Sequence, residues 1–86
     1  MTAVAAEIRD FIVENFLFGQ ADAFPAPDES LLMAGAIDST GVLELVFFLE
    51  ERFQIQVDDT ELIPENLDSL TQLADYVHRK QAAHAG

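Results

Sequence analysis

Apolar residues recur at Ala5, Ile8, Phe11, Ile12 and Phe16, while Glu7, Arg9, Asp10 and Glu14 take the other faces. That spacing predicts a helix from Thr2 to Phe18, and Gly19 supplies the stop that glycine gives just past a helix end. A second apolar stripe, Val42, Leu45, Val46, Leu49 and Phe53, predicts a helix over Thr40 to Phe53 with an acidic face of Glu44, Glu50 and Glu51. Leu43, Phe47 and Phe48 widen its apolar surface beyond a simple stripe. At least one of them, Phe47 first, is expected to be partly exposed beside Glu44 and Glu51. An exposed aromatic ringed by acids reads as a docking spot, and a core role fits the pattern equally well. The last run, Leu70, Leu73, Ala74 and Val77, marks a helix from Ser69 to about Gln81. Ser69-Leu70-Thr71-Gln72 matches a capping box at its start, and Arg79 and Lys80 suit the dipole in its last turn. The tail from Ala82 to Gly86 is expected to fray.

Between the first two helices, Gln20 to Asp38 holds Pro25, Pro27, Gly35 and the acids Asp22, Asp28 and Glu29, and reads as irregular. The cluster Leu31-Leu32-Met33 calls for burial, as a single helical turn can provide, with Leu31, Leu32 and Ile37 expected to anchor the loop on the bundle. Ile55 and Val57 flank Gln56 in an extended link. Asp58-Asp59-Thr60-Glu61 then opens a short helical turn that Pro64 closes at Ile63 or before. The sum is an all-α fold: a small four-helix bundle of three longer helices and a short one, with a long loop between the first and second. No repeat is visible, and residues 1–86 read as one domain.

The charge changes the picture more than the length does. Sixteen acids stand against four bases, for a net charge of −12, and Arg52 is the lone base between Arg9 and Arg79. Such a surface repels nucleic acid and anionic membranes and attracts proteins with basic grooves. Half of the residues are hydrophobic and seven are Phe, enough to build a core in spite of the charge. There is no cysteine, so neither disulfides nor a cysteine-based metal site or nucleophile can form. The N-terminal stretch lacks the order of a signal peptide and falls short of a membrane span, so a cytoplasmic monomer without membrane insertion is the expectation.

Chemistry is concentrated in Gly35-Ala36-Ile37-Asp38-Ser39-Thr40-Gly41, where the loop meets the second helix. Asp38 or Ser39 can cap that helix. A serine hydroxyl exposed there also lies at the positive end of the dipole, a favourable place for a phosphate. An enzymatic reading finds little support. The two histidines, His78 and His84, have no evident way to reach Ser39 as a base, and no glycine-rich phosphate loop is present. Asp58-Asp59-Thr60-Glu61 lacks the ligand spacing and glycine of a calcium loop, so no metal site is expected.

The block Gly35-Ala36-Ile37-Asp38-Ser39-Thr40 resembles the Gly-x-x-Asp-Ser-Leu signature of acyl carrier proteins and their peptidyl-carrier relatives. Asp28-Glu29-Ser30-Leu31 upstream and Ile63-Pro64-Glu65-Asn66-Leu67-Asp68-Ser69-Leu70 downstream also resemble family patterns, in the right order. The resemblance implies a 4′-phosphopantetheine arm on Ser39, transferred from coenzyme A by a phosphopantetheinyl transferase. Acyl-type cargo would ride on the arm as a thioester, for use by acyl-activating or acyl-transferring enzymes. Asp38 would cap the helix and contact the synthase. Thr40, Leu43, Glu44, Phe47, Glu50 and Glu51 would form the partner surface. The triplet Asp68-Ser69-Leu70 matches the family triplet more closely than residues 38–40, but it stands where the family has an ordinary helix cap. Thr40 in place of leucine, and Gly41 where many fatty-acid carriers have an acid, suggest a specialised member. The alternative is an acidic interaction module of the same fold that is never modified.

Overall fold

The computed structural model describes residues 2–85. Its helices are α1 (Ala3–Phe16), α2 (Ser39–Phe53), α3 (Pro64–Leu67) and α4 (Leu70–Ala85), with single 3-10 turns at Ala21–Ala23 and Asp59–Glu61. No strand occurs among the described residues, so the all-α bundle is as expected. α1 packs chiefly against α4, α2 lies across both, and α3 rests on α4.

Local chemistry sets most of the boundaries. The Thr2 hydroxyl accepts the Ala5 N–H and starts α1, and the chain leaves it through left-handed Phe18 and Gly19. Gln54 closes α2 in the left-handed conformation. Pro64 does not merely close a preceding turn, as its sequence position suggests. It is the first residue of α3, where its missing N–H leaves no helical bond unmade. The short helix therefore lies later than expected, and Asp58–Glu61 forms only a 3-10 turn. Ser69 Oγ accepts the Gln72 N–H at 3.1 Å and opens α4. α4 then runs through Ala82 and Ala83 to Ala85, where fraying was expected. That stretch holds good helix formers and no glycine or proline before Gly86, which lies outside the described residues.

Ile8 and Ile12 of α1, Leu45 and Leu49 of α2 and Leu70, Leu73, Tyr76 and Val77 of α4 make the core, completed by Leu31, Ile37 and Ile55 from the connections. Phe11 stacks on Phe48 with ring centroids 4.2 Å apart, which joins α1 to α2. Phe47 and Leu43 remain outside, 70% and 58% exposed. The loop between α1 and α2 does form the single turn expected, from Ser30 to Ala36, with Ala34 N–H bonded to the Ser30 carbonyl. Only part of its apolar cluster is buried. Leu31 enters the core, whereas Leu32 and Met33 are exposed, because one turn can aim one such side chain inward and not three in succession. Gly35 then reverses the chain at φ 76°, a conformation that favours glycine, and delivers Ala36 and Ile37 to the core.

Gly41 explains itself by contact. A methyl group on it would lie 2.8 Å from Ile37 Cγ1 and 2.8 Å from Phe16 Cε1, so the end of α1 abuts the first turn of α2 directly. Gly41→Ala gains about 1 kcal/mol of helix propensity but overpacks this contact at a cost of about 1–3 kcal/mol. The expected outcome in urea denaturation is a net loss of stability, at least halved when Phe16→Ala is already present. A stabilised Gly41→Ala in the otherwise unaltered chain would sink this account.

Candidate functional site

The structure chooses Asp38 as the cap of α2. Its backbone is extended, and its Oδ1 accepts the Gly41 N–H at 2.6 Å. Ser39 is therefore the first helical residue, and its side chain is exposed. At this end of α2 the N–H groups of Ser39 and Thr40 precede the first intrahelical bond, which runs from Val42 N to Asp38 O at 3.1 Å. They point outward with the positive end of a fifteen-residue helix behind them. Arg52 in its last turn suits the opposite end and donates to Glu7 of α1.

A groove of about 190 Å³ opens beside Ser39, lined by Val42, Leu62, Ile63, Pro64 and Leu67, with Leu32 and Asp68 at its edge. Of the apolar side chains early in α2, Val42 reaches the groove and Val46 does not. Leu45 is sealed in the core instead. The groove residues Leu32, Leu67 and Asp68 carry no sequence signal of that role. Asp68 is also less free than its charge implies. Its Oδ2 accepts the Ser30 hydroxyl at 2.6 Å, and its Oδ1 accepts the Leu32 N–H at 3.2 Å.

Other sequence candidates separate clearly. Ser69, the rival serine, is only 5% exposed, and its hydroxyl is already the acceptor at the start of α4. Thr40, Leu43, Glu44, Phe47 and Glu51 are all exposed along α2. Glu50 is half-buried, and its Oε2 accepts the Val57 N–H at 3.0 Å, so it is partly engaged in holding the link that follows α2. His78 is exposed on α4, away from the lining of the Ser39 groove.

The site is thus an exposed serine at an acid-capped helix start, beside an apolar groove and an acidic, aromatic helix face. The relatives say which class of protein carries it. The chain is 35% identical over 77 residues to an acyl carrier protein of Campylobacter curvus, covering 90% of this chain and 95% of that one. It is 36% identical over 75 residues to an acyl carrier protein of Campylobacter fetus, covering 87% and 92%. A D-alanyl carrier protein of Streptococcus sanguinis is 32% identical over 74 residues, covering 86% and 90%. No protein-family model matches the chain. The chain belongs to the carrier-protein family that includes acyl and D-alanyl carrier proteins. It is a non-catalytic carrier.

The cap can be separated from the charge of Asp38. Asp38→Ala removes the acceptor and is expected to cost about 1 kcal/mol of stability, whereas Asp38→Asn keeps it and costs less than half as much. Thermal denaturation of both variants checks this. Equal losses would mean that the negative charge, and not the acceptor, holds the helix start.

Proposed function

We propose that Ser39 carries a 4′-phosphopantetheine arm and that the protein presents acyl-type intermediates on it to partner enzymes. The observation that carries this reading is the exposed Ser39 hydroxyl at the start of α2, with its rival Ser69 buried and engaged. When bound, the arm supplies a flexible thiol on which acyl groups are held as thioesters.

The chain's own residues fit that group. The N–H groups of Ser39 and Thr40 and the dipole of α2 favour the negative phosphodiester that attachment would leave. Asp38 keeps the helix start in register and stands next to the point of attachment. The groove offers an apolar rest for the foot of the arm or a short acyl chain. Asp68 at the groove is held in place by the Ser30 hydroxyl and the Leu32 N–H. Glu44 and Glu51, around the exposed Leu43 and Phe47, suit the basic docking surfaces of a phosphopantetheinyl transferase and of acyl-activating or acyl-transferring enzymes. Such partners support a cytoplasmic location.

Incubation with coenzyme A, magnesium and a broad-specificity phosphopantetheinyl transferase is expected to add one arm by intact mass. The addition persists in Ser69→Ala and is lost in Ser39→Ala. No addition to the unaltered chain with any transferase would favour an unmodified interaction module. Reversing the charge at Glu44 and Glu51 together is expected to lower the transferase's kcat/KM roughly tenfold at low salt, with the difference shrinking as salt is raised. A salt-independent effect would place docking elsewhere.

A further inference from the structure

The outer wall of the Ser39 groove is Leu62, Ile63 and Pro64, and burial alone holds it poorly, since Leu62 and Ile63 are both exposed. Polar ties flank it on either side. Before it, Glu61 Oε1 accepts the Tyr76 hydroxyl at 2.9 Å, Lys80 Nζ at 2.9 Å and the Asp58 N–H at 3.2 Å. After it, Asn66 Nδ2 donates to the Glu61 carbonyl at 3.1 Å, and Asn66 Oδ1 accepts from Arg79 at 3.1 Å. Tyr76, Arg79 and Lys80 are spaced to lie along one side of α4, so the wall is strapped to that helix at both ends. Arg79 and Lys80 are two of only four basic residues in the chain, and both serve this strap.

We propose that the contact of Glu61 with Tyr76 and Lys80 is a latch that fixes the groove wall, and that Glu61 is thereby a positioning residue for the group carried on Ser39. This rests on the carrier reading of Ser39. With the latch closed, the groove of about 190 Å³ exceeds the roughly 150 Å³ that suffices for a benzene-sized guest, so it has room for a small apolar group. A longer chain requires Leu62 and Ile63 to move outward, and the latch resists that movement. The closed contact shifts both ionisations. Lys80, Tyr76 and the Asp58 N–H hold the Glu61 carboxyl below its ordinary value, while burial and then Glu61 push the Tyr76 phenol up.

Two variants open the latch with little change to the core, Tyr76→Phe, which removes only the hydroxyl, and Lys80→Met. Amide hydrogen exchange on the unmodified proteins comes first. Exchange over Leu62–Leu67 is expected to rise roughly fivefold in each variant, with α1 and α2 unchanged. A uniform rise everywhere would mean a plain loss of stability, and an unchanged segment would show that no latch exists; either overturns the proposal. The transferase is then used to load acyl-arm groups from butyryl- to hexadecanoyl-coenzyme A, and thioester cleavage by hydroxylamine is followed. In the unaltered protein protection is expected to level off at a shorter chain, and in the variants to extend to longer ones. The same chain-length limit in all three proteins, despite faster local exchange, would overturn the role of Glu61. Absence of loading by intact mass would instead overturn the Ser39 reading and with it the assignment of Glu61 to cargo, while the exchange data still decide whether the latch holds the wall.

Discussion

Asp68 joins two parts of the chain that lie 38 residues apart. Its carboxylate takes the Ser30 hydroxyl and the Leu32 N–H, and its carbonyl takes the Leu31 N–H at 2.6 Å. The Thr71 N–H adds a bond to the Pro27 carbonyl at 3.1 Å. The long loop after α1 is thereby fastened to the junction of α3 and α4, where Leu31 sinks fully into the core. Ordering a loop costs conformational entropy at every residue, and one buried leucine does not fix a direction by itself. The polar contacts fix it. From Leu31 the path to Ser39 is a single turn, left-handed Gly35 and the buried pair Ala36–Ile37, so the start of α2 is set relative to Asp68. The groove between them is a product of that fastening.

Each of the four cations is engaged within the chain. Arg52 engages Glu7, Lys80 engages Glu61, Arg79 engages Asn66, and Arg9 lies over the Phe24 ring and near Asp10. Exposed ion pairs of this kind contribute little to stability. Their larger effect is on what is left over. Glu44 and Glu51 on α2 have no basic neighbour among these pairs, so the helix that starts at Ser39 shows partners a negative face interrupted by Leu43 and Phe47. Charge brings a basic surface to that face, and the two apolar side chains give it something to bury on arrival.

Where a residue's role follows from spacing or from local backbone chemistry, the sequence was readable. α1, α2 and α4 come from apolar periodicity, the start of α4 at Ser69 from its capping box, the cap of α2 down to the pair Asp38 or Ser39, and the exposure of Phe47 from its place off the stripe. Ser39 was legible as an exposed helix start for the same reason. What escaped depends on pairs distant in the chain. The Ser30–Asp68 bond spans 38 residues, and the Tyr76–Glu61 bond joins two elements whose packing no local pattern announces. The partial engagement of Glu50 belongs to the same class, since it follows from where the Val57 N–H arrives after α2 has ended. Pro64 misled because proline ends a helix before it as readily as it begins one after it.

Gly41 shows how such a distant pair alters a functional reading. Against the family pattern it is a departure, a helix breaker where an acid is common, and it suggests an unusual partner. The structure supplies a nearer cause. Phe16 closes the end of α1 against the first turn of α2, within 2.8 Å of where a side chain on Gly41 would begin, and Ile37 presses from the other side. An acid there would have to displace an aromatic ring that also makes an edge contact with Phe11. The helix propensity lost at Gly41 is returned in part by the Asp38 cap, whose acceptor goes to the Gly41 N–H itself. The glycine and the aromatic are thus one structural unit, and α2 starts where it does because α1 ends in Phe16. Any specialisation of this carrier toward its partners has to be sought in the residues that remain on the surface, Thr40, Leu43, Glu44, Phe47 and Glu51, and not in the glycine beneath them.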